Sequence, residues 1–253
     1  MGQIIAVVNQ KGGVGKTTTA VNLTAALKDA GLRVLLCDFD PQANATSGFG
    51  VDKRKVKLSV YDTVVNNEPA ENVVVATKYG DVLPATADLA GAAVELIGVD
   101  RPNLRLKDAL QPLKDRYDVI FIDCPPSLEM LTLNALAAAD SILVPVQCEY
   151  YALEGLADLM NTLRLVKKRI NPELEIFGVA LTMFDGRTNF STQVAQEVRR
   201  HFPGKVFAGV IPRNVRLAEA PSHGLPVFAY DKGSRGAVAY RQMADEIIKK
   251  LKR

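Results

Sequence analysis

Short apolar runs alternate along the chain with stretches that have helical spacing. The runs occupy residues 4–8, 34–37, 81–83, 119–122, 142–146, 177–183 and 206–211. Between the first two runs, the apolar residues of 17–30 recur at the spacing of one helix face. The pattern predicts strands and helices that follow one another in turn.

The composition of the apolar runs indicates how the strands are covered. They are nearly continuous in Val, Ile and Leu, which is typical of strands buried on both faces of a parallel sheet. We therefore predict an α/β fold with a mostly parallel, twisted sheet of about seven or eight strands and helices on both faces. No internal repeat or low-complexity linker interrupts the pattern, so we expect a single domain over residues 1–253.

A glycine-rich segment joins the first apolar run to the first helical stretch. It reads Gln10-Lys11-Gly12-Gly13-Val14-Gly15-Lys16-Thr17-Thr18. Strand, glycine-rich turn and helix start form the context of a phosphate-binding loop, in which free N–H groups of the first helical turn point at phosphate oxygens. We predict that residues 11–18 bind nucleotide phosphates, with Lys16 on the terminal phosphates and the Thr17 hydroxyl on Mg²⁺. The fold is then that of a P-loop NTPase.

The loop departs from the ordinary phosphate-loop pattern at its entrance. That pattern has glycine five residues before Gly15, where this chain has Gln10 followed by a second lysine, Lys11. A solvated loop lysine explains this charge. The other reading is a lysine that reaches phosphates, either its own or those of a second subunit.

Aspartates follow two of the apolar runs. Asp38 and Asp40 come after the second run and Asp123 after the fourth. Ligands of open α/β sheets bind beyond the carboxyl ends of the strands, so these carboxylates are expected on the same edge as the phosphate loop. Turn chemistry alone also places aspartates at strand ends. With the loop nearby, we predict that Asp123 holds the Mg²⁺ shell opposite Thr17, through water.

The turns after the last two apolar runs reach the same edge. Each is expected to flank the adenine base, because each lies beyond a strand of the sheet that carries the phosphate loop. Met183 and Pro212 are the candidates for this contact.

Composition excludes several other classes of protein. Hydrophobic residues make up 48% and charged residues 23% of the chain, as in ordinary globular proteins. No apolar run approaches the ~20 residues of a membrane span. His201 and His223 are too few and too scattered for a zinc site or a Ser-His-Asp triad. The three cysteines are far apart and lie in or beside apolar runs, which predicts buried, reduced thiols in a cytoplasmic protein.

The net charge of +3 is unevenly distributed. Residues 1–150 contain 14 Lys and Arg against 18 Asp and Glu, whereas residues 151–253 contain 17 against 10. This asymmetry indicates a polyanionic partner for the C-terminal half, although basic helix ends on solvated faces account for the same counts.

Several motifs resemble one family of ATPases. KGGVGKT at 11–17 is similar to the loop of the deviant P-loop ATPases, the group that holds ParA, MinD and the nitrogenase iron protein. The whole chain resembles ParA proteins of the Soj type, through DFDPQ at 38–42, PVQCEYYALEGL at 145–156 and PRNVRLAEAPSHG at 212–224. The resemblance implies a chromosome or plasmid partitioning ATPase that hydrolyses ATP slowly with Mg²⁺.

The resemblance also implies roles for individual residues. Lys11 reaches the phosphates of the other subunit, and Asp40 orients the attacking water, so Lys11, Lys16 and Asp40 are the expected catalytic residues. Asp40 also joins Thr17 and Asp123 around the metal ion.

The C-terminal motifs imply a DNA contact. Arg187 and Arg216 match arginines that contact the DNA backbone in ParA dimers, and ordinary surface arginines are the alternative reading. Phosphate contacts of this kind carry no sequence information and weaken steeply with salt.

The partners follow from the same resemblance. They are a homodimer that forms with ATP, non-specific double-stranded DNA, and a ParB-type centromere-binding protein that stimulates hydrolysis and resets the dimer. The protein is expected in the cytoplasm, on the nucleoid when ATP is bound, and not on a membrane.

Three alternatives stay open at the level of sequence. A MinD-like positioning ATPase needs a membrane foot, but Tyr240, Met243 and Ile247 favour residues 237–253 as a core-packed final helix. An iron–sulfur carrier needs paired cysteines, and although Cys124 adjoins Asp123 the chain has no CxxC motif. A nucleotide-binding scaffold needs no turnover at all.

Overall fold

The computed structural model describes residues 2–127, 129–149 and 152–252. Within these residues seven strands form one sheet: β1 (Gln3–Val7), β2 (Val34–Asp38), β3 (Val75–Thr77), β4 (Gly80–Leu83), β5 (Val119–Asp123), β6 (Ser141–Gln147) and β7 (Glu175–Thr182). Their order across the sheet is β3-β4-β2-β5-β1-β6-β7. All neighbours are parallel except β3 and β4. The predicted α/β class and mostly parallel sheet are confirmed.

Helices connect the strands and cover both faces of the sheet. They are α1 (Lys16–Asp29), α2 (Asn44–Gly48), α3 (Val60–Val65), α4 (Ala70–Val73), α5 (Leu89–Glu95), α6 (Arg105–Leu110), α7 (Met130–Ala138), α8 (Ala152–Arg169), α9 (Asn189–His201), α10 (Val215–Glu219), α11 (Val227–Tyr230) and α12 (Arg235–Leu251). Short 3-10 turns occur at Gln111–Leu113 and Ala220–His223. Tyr150 and Tyr151, which belong to the motif at 145–156, lie outside the described residues.

The apolar strands supply two hydrophobic layers, one on each side of the sheet. Because side chains alternate along a strand, Ile4 and Ala6 of β1 join one cluster while Ile5 and Val7 join the other. The second cluster also contains the buried faces of α1 and α12, where the Tyr240 hydroxyl lies 3.0 Å from the Thr19 hydroxyl. This contact fixes the helix that follows the phosphate loop against the last helix described.

The parallel register brings the ends of the central strands together. Asp38 of β2 pairs with Asp123 of β5, and Val7 of β1 pairs with Asp123 on the other side. The loop that follows β1 and both predicted acidic strand ends therefore share one edge of the sheet.

Residues 206–211 are not a strand, which corrects the prediction from sequence. The segment runs beside β7 with one isolated bridge at its start, between Val179 and Val206, and a second just beyond its end, between Phe184 and Pro212. In its middle, the backbone N–H groups of Ala208 and Gly209 donate to the Glu246 carboxylate of α12, each at 3.0 Å. A helix side chain thus takes the Gly209 N–H, which lies between the Phe207 and Ile211 donors to β7 and would belong to a continuous ladder.

Candidate nucleotide and magnesium site

The phosphate loop has the backbone that its glycines predict. Gly13 and Gly15 adopt positive φ of 76° and 89°, a region that favours glycine, and Gly15 is the N-cap of α1. A Cβ atom built on Gly12 or Gly13 would meet no atom within 4 Å. The space beside the loop is therefore open where phosphate oxygens would approach the first turn of α1.

Side chains outside the loop hold it in place. The Asn9 amide donates to the Pro145 carbonyl at 2.7 Å, and its oxygen accepts from Lys11 N–H at 3.0 Å. The Thr182 hydroxyl, at the end of β7, donates to the Val14 carbonyl at 2.8 Å. Asn9 and Thr182 were not among the residues predicted from sequence, because their partners are fixed only by the arrangement of β6 and β7.

Three aspartates and one lysine are buried at this edge of the sheet. Asp38 and Asp123 have no exposed surface, Asp40 is 8% exposed and Lys16 is 7% exposed. Lys16 Nζ donates to the Lys11 carbonyl at 3.1 Å. The site thus concentrates negative charge around a single buried ammonium group, within the part of the chain that the structure describes.

Asp123 provides the test of whether a magnesium ion fits. Neither of its carboxylate oxygens has a hydrogen-bond partner of normal geometry among the described residues, although the group is fully buried. A buried, unpaired carboxylate is costly unless a cation or donor satisfies it. Thr17, the first-turn residue predicted to bind the metal, lies close enough for its hydroxyl to favour the ionised form of Asp123. The residues present fit Mg²⁺, an ion that prefers carboxylate and hydroxyl oxygens and keeps several waters.

The pKa values of the cluster reflect this environment. Burial, followed by repulsion from Asp38, raises the pKa of Asp123 well above its usual value. Burial also raises the pKa of Asp38 to about 6, against the opposing effect of hydrogen bonds from Thr46. Burial lowers the pKa of Lys16, and the nearby charge of Asp123 counteracts part of that shift. A divalent cation would favour the ionised form of both carboxylates.

Asp40 lies in a tight turn directly after β2. Its carboxylate accepts from Gln42 N–H at 2.9 Å, and its carbonyl accepts from Ala43 N–H at 2.9 Å. Ala43 has the left-handed conformation, with φ of 52°, that residues other than glycine adopt rarely. The turn directs Asp40 to the same group as Lys16 and Asp123, since the charge of Asp40 affects the pKa of both.

Lys11 points along the surface rather than into the buried cluster. Its ammonium group lies 3.5 Å from the Glu149 carboxylate, and Arg213 approaches the same carboxylate at 3.8 Å. The Lys11 and Glu149 side chains are 35% and 48% exposed, so this pair is worth only about 0–1 kcal/mol. Glu149 was missed as a site residue in the sequence, where its motif was used only for the family resemblance.

A cleft beside the loop contains the predicted adenine residues. Its volume is about 420 Å³, within the range of nucleotide-sized sites. It is lined by Gly15, Thr18, Thr182, Met183, Ile211, Pro212, Arg213, Asn214, Val215, Leu217, Ala218 and Tyr240. The structure therefore brings Met183 and Pro212 together at one end of the loop, and Met183 itself has a positive φ of 50°.

The two predicted DNA-contacting arginines lie outside this cleft, and each is already paired. Arg187 is 88% exposed and lies 2.7 Å from the Asp185 carboxylate. Arg216 lies 2.8 Å from Glu219 and 3.4 Å from Asp231.

Comparison with known proteins decides the family. A family model described as an AAA domain matches residues 2–176. The chain is 57% identical over 249 residues to the sporulation initiation inhibitor protein Soj of Bacillus subtilis (strain 168), with 98% of each chain covered. The chain belongs to the ParA family of P-loop ATPases. It is also 52% identical to the chromosome partitioning protein ParA of Myxococcus xanthus (strain DK1622), over 99% of this chain and 89% of that protein.

A solved structure with a bound nucleotide shows that the likeness extends to the fold. The cobyrinic acid a,c-diamide synthase of Mycobacterium smegmatis, with bound ADP and magnesium, superposes with a TM-score of 0.87 and 39% identity, over 100% of this chain and 96% of that one. The present chain, as a member of the ParA family, is an ATPase, and its cofactors are ATP and Mg²⁺.

Other kinds of site receive no support from the described residues. Cys37, Cys124 and Cys148 are buried free thiols, and within 2–127, 129–149 and 152–252 no three His, Cys, Asp or Glu side chains converge on a metal position. None of the helices in these ranges combines the length and the hydropathy needed to cross a bilayer.

Proposed function

We propose that this ParA-family ATPase segregates DNA, as a cytoplasmic protein that forms a dimer with ATP. The likeness to Soj and ParA proteins over nearly their whole length carries this proposal. A chromosome or a plasmid is the cargo, and the nucleoid is the location of the ATP-bound form.

The buried cluster suggests how the chain's residues divide the work of hydrolysis. Residues 11–18 bind the phosphates through backbone N–H groups, and Lys16 neutralises charge that develops on the terminal phosphate. Thr17, Asp40 and Asp123 hold the magnesium ion, which supplies charge neutralisation at the phosphates when bound. Asp40 orients the attacking water, since it alone of the three buried aspartates retains some exposed surface.

Lys11 is assigned to the contact between subunits. Its weak ion pair with Glu149 leaves it on the surface, where the phosphates of a second nucleotide could replace the carboxylate at little cost. Two subunits that exchange Lys11 in this way form a dimer only when both hold ATP. Met183 and Pro212 flank the adenine on the other side of the loop.

DNA binding is assigned to the surface of Arg187 and Arg216. Both guanidinium groups are exposed enough to reach phosphate oxygens, and the excess of Lys and Arg in residues 151–253 favours the same half of the chain. The dimer would combine two such surfaces and bind without sequence preference. A ParB-type protein would then stimulate hydrolysis and release the DNA.

The MinD-like alternative depends on the last helix, and the packing of α12 disfavours it. Ala239, Tyr240, Met243, Ala244 and Ile247 are buried, and their face packs against α1 and the second hydrophobic layer. Within residues 235–251 the apolar stripe is thus already used by the fold. Only the four-residue turn 231–234 separates α12 from α11, which is shorter than the linker that a hinged membrane foot would require.

Co-sedimentation tests the proposal directly. The purified protein is spun with random-sequence DNA and, separately, with anionic liposomes, in ATP, ADP or no nucleotide and at two salt concentrations. We expect pelleting with DNA only in ATP and more weakly at high salt, and loss of pelleting in Arg216→Ala.

The matched control is Arg33→Ala. Arg33 is a comparably exposed arginine that lies 2.7 Å from Asp118, before β2 and so at the opposite edge of the sheet from the loop. Liposome binding without DNA binding would instead support the MinD-like function. ATP turnover that survives Lys16→Ala would exclude the proposed site. If the unsubstituted protein shows no ATP turnover at all, the result would support the alternative of a nucleotide-binding scaffold without enzymatic activity.

A further inference from the structure

The Asp38 carboxylate has an unusual set of partners for a group at a nucleotide site. It is fully buried, and the hydrogen bonds that it accepts from the described residues all come from the segment that follows it in the chain. Oδ2 accepts from the Thr46 N–H and from the Thr46 hydroxyl, both at 2.7 Å, and Oδ1 accepts from Asp40 N–H at 3.3 Å. Asp38 therefore holds the turn that carries Asp40.

Thr46 connects this carboxylate to a second strand. Its hydroxyl donates to Asp38 and at the same time accepts from Ala85 N–H at 3.0 Å. Ala85 follows β4, the strand that pairs with β2 through Cys37 and Leu83. Thr46 is itself fully buried, so water cannot substitute for either bond.

The segment between Asp38 and Thr46 is thus closed at both ends. Residues 39–45 leave β2 at Asp38 and return to the same carboxylate at Thr46, in the first turn of α2. Within this closed loop, Ala43 keeps a positive φ of 52° that only surrounding contacts can maintain. Among the described residues, Asp40 is bonded only within the loop, through Asp38, Gln42 and Ala43.

We propose that Thr46 is a positioning residue for hydrolysis: its hydroxyl bonds to Asp38 and to Ala85 N–H close the loop that orients Asp40. The inference rests on the proposed role of Asp40. Small displacements of a group that orients a reactant reduce the rate of the chemical step far more than they reduce binding. Thr46 is therefore expected to affect kcat and to leave nucleotide affinity nearly unchanged.

Three substitutions at Thr46 separate the hydroxyl from the volume of the side chain. Thr46→Val keeps the shape of the side chain and removes both of its hydrogen bonds. Thr46→Ala removes the two hydrogen bonds together with the methyl group. Thr46→Ser lacks the methyl group but retains the hydroxyl and both hydrogen bonds. The matched control is Thr63→Val, which removes another buried threonine hydroxyl, one that bonds the Val60 carbonyl in α3.

The first readout needs no nucleotide. Hydrogen–deuterium exchange of residues 39–48 and 84–86 in the nucleotide-free protein is expected to accelerate in Thr46→Val and Thr46→Ala. It should remain at the parental rate in Thr46→Ser and Thr63→Val. Unchanged exchange in both loss variants would show that the loop does not depend on the hydroxyl, and would overturn the proposal.

The second readout is the division between kcat and binding. We expect kcat for ATP to fall about tenfold or more in both loss variants, while affinity for a fluorescent ATP analogue changes by less than about twofold. Thr46→Ser should recover most of the rate. A loss of rate that serine does not restore, or one that Thr63→Val reproduces, would indicate a general loss of stability and overturn the proposal.

Asp40→Ala distinguishes this inference from the function on which it rests. If Asp40→Ala hydrolyses ATP at the parental rate, the proposed role of Asp40 fails, and the inference fails with it. If Asp40→Ala is inactive while both Thr46 loss variants keep the parental kcat, only the inference fails.

Discussion

Asp123 illustrates how a single residue can be unfavourable for the fold and necessary for the site. Its carboxylate is fully buried and neither oxygen has a hydrogen bond of normal geometry among the described residues. The folded protein therefore binds the proton of this group more tightly than the unfolded chain does, as the raised pKa indicates. The stability of the nucleotide-free protein should fall as the pH rises from about 4, the unfolded value, through that raised pKa.

Asp123→Asn removes the ionisable group at this position. We expect the variant to be more stable than the parent at pH 8, by about 1–3 kcal/mol, because a neutral amide replaces an unpaired buried charge. The difference should shrink as the pH falls, since Asp123 in the parent is then protonated and neutral. Urea unfolding of the nucleotide-free proteins at pH 5 and pH 8 measures both quantities.

The same variant should lose magnesium-dependent ATP turnover, since an amide cannot supply the ionised oxygens that the metal prefers. A gain in stability together with a loss of activity is the pattern expected of a functional residue. Equal stability of variant and parent at pH 8 would show that the buried carboxylate carries no penalty.

At the residue scale, the sequence predicted the groups whose placement follows from local rules. The loop motif predicts Lys16 and Thr17. Asp40 and Asp123 are expected beside them because ligands of parallel sheets bind beyond the carboxyl ends of the strands. Thr46 and Thr182 could not be predicted in this way. The Thr182 hydroxyl bonds the Val14 carbonyl, 168 residues away in the chain, and such a partner is defined only by the packed sheet.

At the scale of elements, short helix α2 is held between the buried cluster and the segment that contains Arg216. Its first turn is bonded to Asp38, and the helix contacts the 3-10 turn at Ala220–His223, which follows α10. There Gly50 and Gly224 approach so closely that a Cβ on Gly224 would lie 3.0 Å from the Gly50 Cα atom. Both have positive φ, of 77° and 63°.

Gly224→Ala should therefore destabilise the protein for two reasons. The left-handed backbone costs alanine about 1–2 kcal/mol, and the backbone contact with Gly50 adds roughly 1–3 kcal/mol. Gly204→Ala is the control, because Gly204 has a similar φ of 71° but no atom within 4 Å of its Cβ position. Urea unfolding should show the larger loss for Gly224→Ala, and equal losses would mean that the close approach to Gly50 is easily relieved.

The elements also show where the sequence pattern was insufficient. Runs of Val, Ile and Leu identified the six parallel strands, because burial on both faces demands that composition. Residues 206–211 are also apolar, but the N–H groups of Ala208 and Gly209 in their middle bond Glu246, and the segment forms only isolated bridges. The antiparallel strand β3 was missed, since three residues of an edge strand leave almost no periodic signal.

At the scale of the whole molecule, the ion pair between Lys11 and Glu149 bears on assembly. In the proposed dimer, Lys11 leaves Glu149 and binds phosphates of the other subunit's nucleotide. On the proposed role of Asp40, we expect Asp40→Ala to bind ATP without hydrolysing it and to form a stable dimer in ATP and Mg²⁺. Adding Lys11→Ala should return it to a monomer that still binds ATP.

Analytical ultracentrifugation and equilibrium binding of a fluorescent ATP analogue measure the two effects separately. Lys57→Ala in the Asp40→Ala background is the control, since Lys57 is an exposed lysine in the loop between α2 and α3. A dimer that persists without Lys11 would remove this residue from the proposed interface.

The ion pairs of Arg187 and Arg216 also change the net number of ions that we expect to be released in the proposed binding to DNA. For a free arginine, each phosphate contact releases counterions and contributes about −0.9 to the slope of log K against log salt concentration. Here each guanidinium must first leave Asp185, or Glu219 and Asp231, and the carboxylates so released take up cations from solution. Uptake on the protein then offsets part of the release from DNA. We expect a shallower slope than the number of contacting arginines implies, and Asp231→Asn should steepen it in binding titrations across a salt series.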